Sequence, residues 1–318
     1  MGAYMTKNTA DDFKALIKEE RKKLPTPFDV SYKAFIDLGY DKKDKEWFFD
    51  NASEFVENMR SQGWTDFKQY ERKFTNAMLL KLVEPEKLKG MDPVKAIETF
   101  ITDHSDEMYN LLLSNTQSRR SRTGKEFEAI IELMLIGADI PAEAQGAVGK
   151  QKFMDEKIGK LVDFVSPGVV QYLHNKVNTV LISAKTTLRE RWQEVPEEVA
   201  RTGAREMFLA TLDDSISKET QDILYEGNIY IATTANNKKQ AYNNNGRIFS
   251  FEYMLNRASD MANKWNNESY SQEELDHMCD HLERQIKSHK NHKYVRDYYQ
   301  NKLTELKANV RKNSNEIA

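Results

Sequence analysis

The run VNTVLISA at residues 177–184 constrains this chain more than any other feature. It is β-branched and reads as a strand. Three companions share the pattern: KLVDFV at 160–165, stopped by Ser166-Pro167-Gly168, MFLATL at 207–212 and NIYIAT at 228–233. Helical stretches are expected at about 195–203 and 216–225. Strands alternating with helices imply an α/β fold, a mixed central β-sheet flanked by helices.

Helices are expected on either side of that sheet. Residues 10–23 carry a narrow apolar stripe of Phe13, Leu16 and Ile17, broken by Pro25 and Pro27. Trp47, Phe48, Phe49, Phe55, Val56 and Met59 give a second helix, expected to end near Gly63. Residues 67–82 and 93–113 give two more. Over 123–136, Thr123 is a candidate N-cap with Glu126 three residues on, the capping-box spacing. Residues 238–247 read as a polar loop, and 271–312 as polar helix. The expected organisation is a helical N-terminal region over 1–115, a sheet-bearing core over 116–270 and a helical C-terminal segment over 271–318. Only 13 Gly and 7 Pro in 318 residues favour such long helices over an all-β fold.

Composition excludes several classes. The one cysteine, Cys279, rules out an internal disulfide framework and fits a reducing cytoplasm. No apolar run approaches the ~20 residues of a membrane span, and MGAYMTKNTADDF has no apolar stretch of a secretory signal. With 47 basic against 50 acidic side chains, the chain is not a histone-like polycation. Nucleic acid stays open as a partner, because local charge decides that. Neither a phosphate-binding glycine loop nor a dinucleotide fingerprint is present, and no G-x-S-x-G elbow is found.

The chemistry concentrates in the middle third. Asp163 sits near a strand end before the Pro-Gly turn, Lys185 ends the next strand in Ser183-Ala184-Lys185, and Glu198 follows in an expected helix. An acid on one strand and a lysine ending the next can converge at one sheet edge. Metal-assisted phosphodiester hydrolysis needs such a set. Mg²⁺ wants carboxylate oxygens and lowers the pKa of a bound water. A lysine beside it orients the nucleophile and offsets developing charge. The usual nuclease signature places an acid two residues before the lysine, where this chain has Ser183. A second carboxylate must come from Glu194, Glu197 or Glu198, and spacing does not choose among them. Arg189-Glu190-Arg191 follows. In the major groove Arg pairs with guanine O6 and N7, and Glu accepts from the cytosine amino group, so the triplet suits adjacent G·C pairs.

VDFVSP at 162–167 and ISAKTTLRERWQEVPEE at 182–198 resemble the type II restriction endonucleases of the SsoII group, which cut at CCNGG. That group is a variant of the PD-(D/E)xK nucleases in which the second carboxylate moves to the following helix. The resemblance runs over roughly 45–300 and is firmest at 120–200. It implies that Asp163 and Glu198 bind Mg²⁺ and that Lys185 is the catalytic lysine. Glu128 is the implied auxiliary acid, with Glu132 one turn on as its competitor. It further implies base readout by Arg189, Glu190 and Arg191, a minor-groove contact by Gln117, and a pocket for an extruded central base at Trp64 and Arg60. A Trp face and an Arg guanidinium four residues apart suit stacking on a base.

Ser118–Lys125 puts Arg119, Arg120, Arg122 and Lys125 at an expected helix start, which suits phosphate contacts. His277, Cys279, His281, His289 and His292 match no common zinc spacing and read as a polar helix with scattered histidines. The expectation is a Mg²⁺-dependent enzyme, a homodimer on double-stranded DNA, matched to a cognate DNA methyltransferase without a stable complex. The competing readings are a non-cleaving DNA-binding regulator on a nuclease fold, and a structure-directed repair or RNA nuclease.

Overall fold

The computed structural model describes residues 10–156, 158–188, 194–266 and 268–316. Helices come first: α1 (Ala10–Arg21), α2 (Pro27–Asp37), α3 (Lys45–Leu80), α4 (Pro85–Leu88), α5 (Pro93–Asp103) and α6 (Ser105–Gly137). Next are β1 (Glu143–Ala144), α7 (Gln145–Val148), α8 (Lys150–Asp155), β2 (Phe164–Ser166), α9 (Val169–His174) and β3 (Val180–Lys185). The alternating part follows: α10 (Glu194–Thr202), β4 (Met207–Thr211), α11 (Lys218–Glu226), β5 (Ile229–Thr233), α12 (Ala235–Gln240) and β6 (Ile248–Ser250). Helices α13 (Phe251–Asn263), α14 (Gln272–Ser288) and α15 (Lys293–Glu316) close the chain. Among the described residues no helix is long and apolar enough to cross a membrane.

The chain divides into two compact units. One takes residues up to Val30 together with Ser61–Glu126, and the other takes Ser31–Arg60 with everything from Phe127. The first is helical, around a core of Phe13, Ile17, Phe74, Met78, Leu82 and Leu111. Arg21 lies over the Phe74 ring at 4.4 Å and donates to Asn115 Oδ1 at 2.7 Å. Burial lowers its pKa, and the Glu71 charge opposes that shift.

The second unit holds the six-stranded sheet, in the order β1-β2-β3-β4-β5-β6. β3 joins its two halves, pairing antiparallel with β2 and parallel with β4. The parallel strands β4 and β5 are covered on both faces, which explains why MFLAT and IYIAT read as nearly unbroken apolar runs. An aromatic cluster of Phe35, Tyr40, Phe48 and Phe55 packs elsewhere in this unit, with Tyr40 and Phe55 rings 4.8 Å apart.

The α/β expectation holds, and the differences are local. Gly63 ends no helix: α3 runs on to Leu80, with its one kink at Asn51 (φ −129°). The expected helix over 93–113 breaks at His104, which is α5's C-cap. Thr123 is no N-cap, because it lies inside α6 and its Oγ1 donates to Arg119 O at 2.8 Å. The basic segment at 118–125 is therefore mid-helix, without free N-terminal amides. β2 is shorter than its apolar run and starts only after Asp163. The polar segment at 238–247 begins inside α12 and stops at β6, a strand the sequence reading did not include.

Two glycines test this packing. At Gly63 an added Cβ meets nothing, and at Gly137 it runs into the Phe48 ring. Gly63→Ala should raise unfolding stability by about 0.5–1 kcal/mol. Gly137→Ala should lower it by about 1–3 kcal/mol. Urea unfolding of both variants checks the pair, and equal shifts of the same sign would contradict the packing described.

Candidate functional site

Asp163 is fixed by its backbone before its side chain is considered. Its N–H donates to Ile182 O of β3 at 2.9 Å, and its carbonyl accepts from Gln145 N at 2.9 Å. The carboxylate, on a residue only 8% exposed, thereby faces the end of β3. Oδ2 accepts from Ala184 N at 2.7 Å and from Lys185 Nζ at 2.8 Å. Lys185 Nζ also donates to Ala184 O at 3.1 Å. An ammonium and a carboxylate held at low exposure interact more strongly than a surface pair. Both bonds end on Oδ2, which leaves Oδ1 as the oxygen able to face a cation.

Ser183 shares the Lys185 face of β3 by strand alternation. It is fully buried, and its Oγ has no hydrogen-bond partner among the described residues. A second acid has to come from α10. Val195 and Val199 of that helix are buried in the core, and Pro196 falls in its first turn. Glu197 is exposed. Position 198 falls on the face of Val195 and Thr202, three residues after one and four before the other. The side chains of Glu194 and Glu198 lie outside what the structure describes, as do Arg189, Glu190 and Arg191.

The segment entering 189–193 is anchored by a residue that the sequence reading missed. Asp213, after β4, accepts from Leu188 N at 2.7 Å through Oδ2 and from Ser215 N at 3.0 Å through Oδ1. Its carbonyl accepts from Tyr242 Oη at 2.6 Å and from Asn237 Nδ2 at 2.9 Å. Burial raises the Tyr242 phenol to about 12, so it stays a donor. An acid directly after a buried parallel strand was the available signal, since such strand ends are where open α/β sheets bind ligands.

The two candidate auxiliary acids stand one turn apart on α6. Glu132 is buried, and its Oε1 accepts from Tyr299 Oη at 3.0 Å and lies 3.0 Å from His289 Nε2. Burial, then the Glu132 charge, hold the Tyr299 phenol well above its ordinary range. Glu128, one turn earlier on α6, is half-buried.

In the first unit, Trp64 is 40% exposed on α3, with the Lys68 ammonium 5.7 Å and the Arg119 guanidinium 5.9 Å from its ring. Arg60 is four residues earlier in the sequence of α3 and is the last residue of the second unit's Ser31–Arg60 stretch. Arg119 is itself tied to the buried Glu71, Nε donating at 2.9 and 3.0 Å. Arg122 is turned inward over the Phe67 ring at 4.5 Å, 3.7 Å from Glu126. Arg120 and Lys125 are exposed. Gln117 is exposed and lines a groove with Lys14, Lys18, Arg21 and Lys22 of α1. That basic face of α1 was also missed, because its charges alternate with acids in the sequence.

Comparison with known proteins agrees with this geometry. The family model described as EcoRII C terminal matches residues 86–254. The type II restriction enzyme SsoII of Shigella sonnei is 52% identical over 303 residues, covering 95% of this chain and 99% of that protein. The structure of metal-depleted Ecl18kI in complex with uncleaved, modified DNA superposes with a TM-score of 0.87 at 51% identity, covering 94% of this chain and all of that one. The PspGI–substrate DNA complex, at 18% identity and a TM-score of 0.59 over 78% of this chain, shares the fold. This chain belongs to the EcoRII C-terminal family, as a type II restriction endonuclease of the SsoII-like group.

Proposed function

We propose that this enzyme hydrolyses one phosphodiester bond in each strand of duplex DNA, with Mg²⁺ as cofactor, at a G/C-rich site of the CCNGG type. The observation that carries the reading is the Asp163–Lys185 contact at the β2–β3 edge, ahead of α10. The relative Ecl18kI, described as metal-depleted and bound to uncleaved DNA, supports both the metal and the substrate.

The donor set suits a hard cation. Oδ1 of Asp163 carries neither of that carboxylate's hydrogen bonds, and Glu198 offers the second carboxylate from α10. Bound there, Mg²⁺ supplies charge neutralisation and a more acidic water. Lys185 orients the attacking water with its N–H groups and offsets the charge building on the phosphate. Water adds to phosphorus in line and the bond to the 3′ oxygen breaks, leaving a 5′-phosphate and a 3′-hydroxyl. Glu128 is the auxiliary acid; Glu132, one turn on, accepts from Tyr299 and lies beside His289. Arg189, Glu190 and Arg191 read the G·C pairs, and Gln117 contacts the minor groove. Arg119, Arg120, Arg122 and Lys125 hold phosphates; Arg119, Arg120 and Lys125 are exposed, and Arg119 is tied to Glu71. Trp64 and Arg60 receive an extruded central base, and the exposure of the Trp64 ring favours that use over packing. A palindromic-type target calls for a two-fold homodimer. The enzyme acts in the cytoplasm beside a methyltransferase that protects the same sequence, without binding it stably.

Digestion of a plasmid of known sequence, with and without Mg²⁺, tests the reading. A Mg²⁺-dependent ladder of discrete fragments at CCNGG is expected, and a smear or a gel shift without cutting would reject it. Asp163→Ala and Lys185→Ala should bring cleavage to background while specific binding in Ca²⁺ persists. Near wild-type cutting by either would remove it from the site.

The second acid is tested by Mg²⁺ titration. Glu198→Gln should demand far more Mg²⁺ than wild type, whereas Glu194→Gln and Glu197→Gln should track it. A larger loss at Glu194 would move the ligand there.

Readout is tested by comparing three kinds of loss. Arg189→Ala or Arg191→Ala should cost about 1–3 kcal/mol and relax discrimination at one base pair. Arg120→Ala should weaken all sequences alike and flatten the salt slope by about one unit. Trp64→Ala should lower affinity without changing the required flanking bases. A central 2-aminopurine whose fluorescence neither wild type nor Trp64→Ala alters on specific binding would remove the pocket.

A further inference from the structure

A second cluster in the sheet-bearing unit has no part in that reaction. His277 and His281 stand four residues apart on α14, so one face of the helix carries both rings. Their Nε2 atoms approach to 3.1 Å. Glu156, just after α8, meets them with Oε1, 2.6 Å from His277 Nε2 and 3.5 Å from His281 Nε2. Three Lewis-basic atoms thus converge on one point. Around zinc with bonds of about 2.0–2.1 Å, tetrahedral ligand atoms stand about 3.3 Å apart; the two separations from His281 Nε2 match this, and the Glu156–His277 pair would open from its 2.6 Å contact on binding.

Three further facts point to a ligand rather than to a chance hydrogen-bonded group. His281 is fully buried. Its other nitrogen, Nδ1, is hydrogen-bonded to the Glu143 carboxylate. A carboxylate on the far ring nitrogen fixes the tautomer and aims Nε2, an arrangement that accompanies most metal-binding histidines. The Glu156 Oε2 atom is buried with no hydrogen-bond partner among the described residues. A buried carboxylate oxygen left bare costs free energy, and a cation shared with Oε1 would relieve that cost.

We propose that Glu156, His277 and His281 form a zinc site, with Glu143 as the positioning residue behind His281 and water completing the coordination. Two imidazoles and one carboxylate favour zinc over the hard Mg²⁺ that the Asp163 set suits, so the two sites take different metals. The sequence hides this site because Glu156 lies 121 residues before His277. Only the two histidines share a motif, and alone they resemble an ordinary polar helix.

The role is structural. α14 holds β1 through Gln285, whose Oε1 accepts from Ala144 N at 3.1 Å. β1 pairs with β2, and Gln145 N bonds to Asp163 O. Zinc between α14 and the end of α8 braces the layer on which Asp163 sits.

Metal-stripped full-length protein is given Zn²⁺ in a large excess of Mg²⁺, which occupies hard oxygen sites, and is then freed of loose metal by gel filtration. One zinc per chain is expected by elemental analysis, with a raised melting temperature. Asp163→Asn should retain it, and His277→Ala and Glu156→Gln should lose it. Glu143→Gln should weaken it about 10–100-fold while leaving the three ligands in place. X-ray absorption on the wild-type zinc protein should report two imidazole nitrogens, which does not depend on any variant folding. No retained zinc, an oxygen-only shell, equal retention by His277→Ala, or loss in Asp163→Asn would each overturn the proposal.

Discussion

The pairing of β3 with both neighbours is the constraint on which the rest depends. On one edge, β3 fixes the backbone of Asp163 through Ile182 O, and on the other it sets Lys185 opposite Thr211 at the end of β4. The side-chain period of a strand is two, so a slip of one residue would turn Lys185 away and bring Ala184 to its place. Val180 to Ala184 are all buried, and a slip would unseat every one of these close-packed side chains. The apolar content of the strand thus does two things. It fills the core, and it indexes one lysine against one aspartate.

The same dependence extends past the strand end. Lys185 is the last residue of β3, and the chain then leaves the sheet without a ladder to guide it. Asp213 replaces the ladder by accepting from Leu188 N, and Leu188 is itself buried. Val195 and Val199 recapture the chain on α10. Residues 189–193 are therefore bounded by an anchored amide on one side and a packed helix on the other.

How much of this was legible follows from where each signal lies. Strands β3, β4 and β5 were legible because central strands leave near-continuous apolar runs. Lys185 was legible because it sits where such a run stops, and Asp163 because it is an acid interrupting an apolar run just before a Pro-Gly turn. The helix boundaries were less so. Gly63 and Gly124 are poor helix residues by about 1 kcal/mol each; Gly63 was taken as an end, and Thr123 beside Gly124 as a start. Tertiary packing of Met59 and Phe67 on one side, and of Phe127 and Ile130 on the other, exceeds that cost. Contacts between residues far apart in sequence were not legible at all. Glu132 with Tyr299, Asp213 with Leu188 and Glu156 with His277 involve polar residues without a motif, and only the fold joins them.

The position of Ser183 shows why a displaced acid is workable in this fold. With a carboxylate two residues before the lysine, strand alternation would deliver both metal ligands from the sheet edge. Here a small hydroxyl occupies that place in full burial, and the candidate second acid belongs to α10 instead. A helix is a looser mount than a strand edge unless it is packed. α10 is packed by Val195 and Val199, while Glu197 faces solvent. Under the proposed assignment, the base-reading triplet and the second metal ligand share the one excursion between Leu188 and Val199. Asp163 and Lys185, by contrast, belong to the sheet edge. Under that assignment the displaced acid lies on the same excursion as the base-reading triplet, and the first acid lies on the sheet.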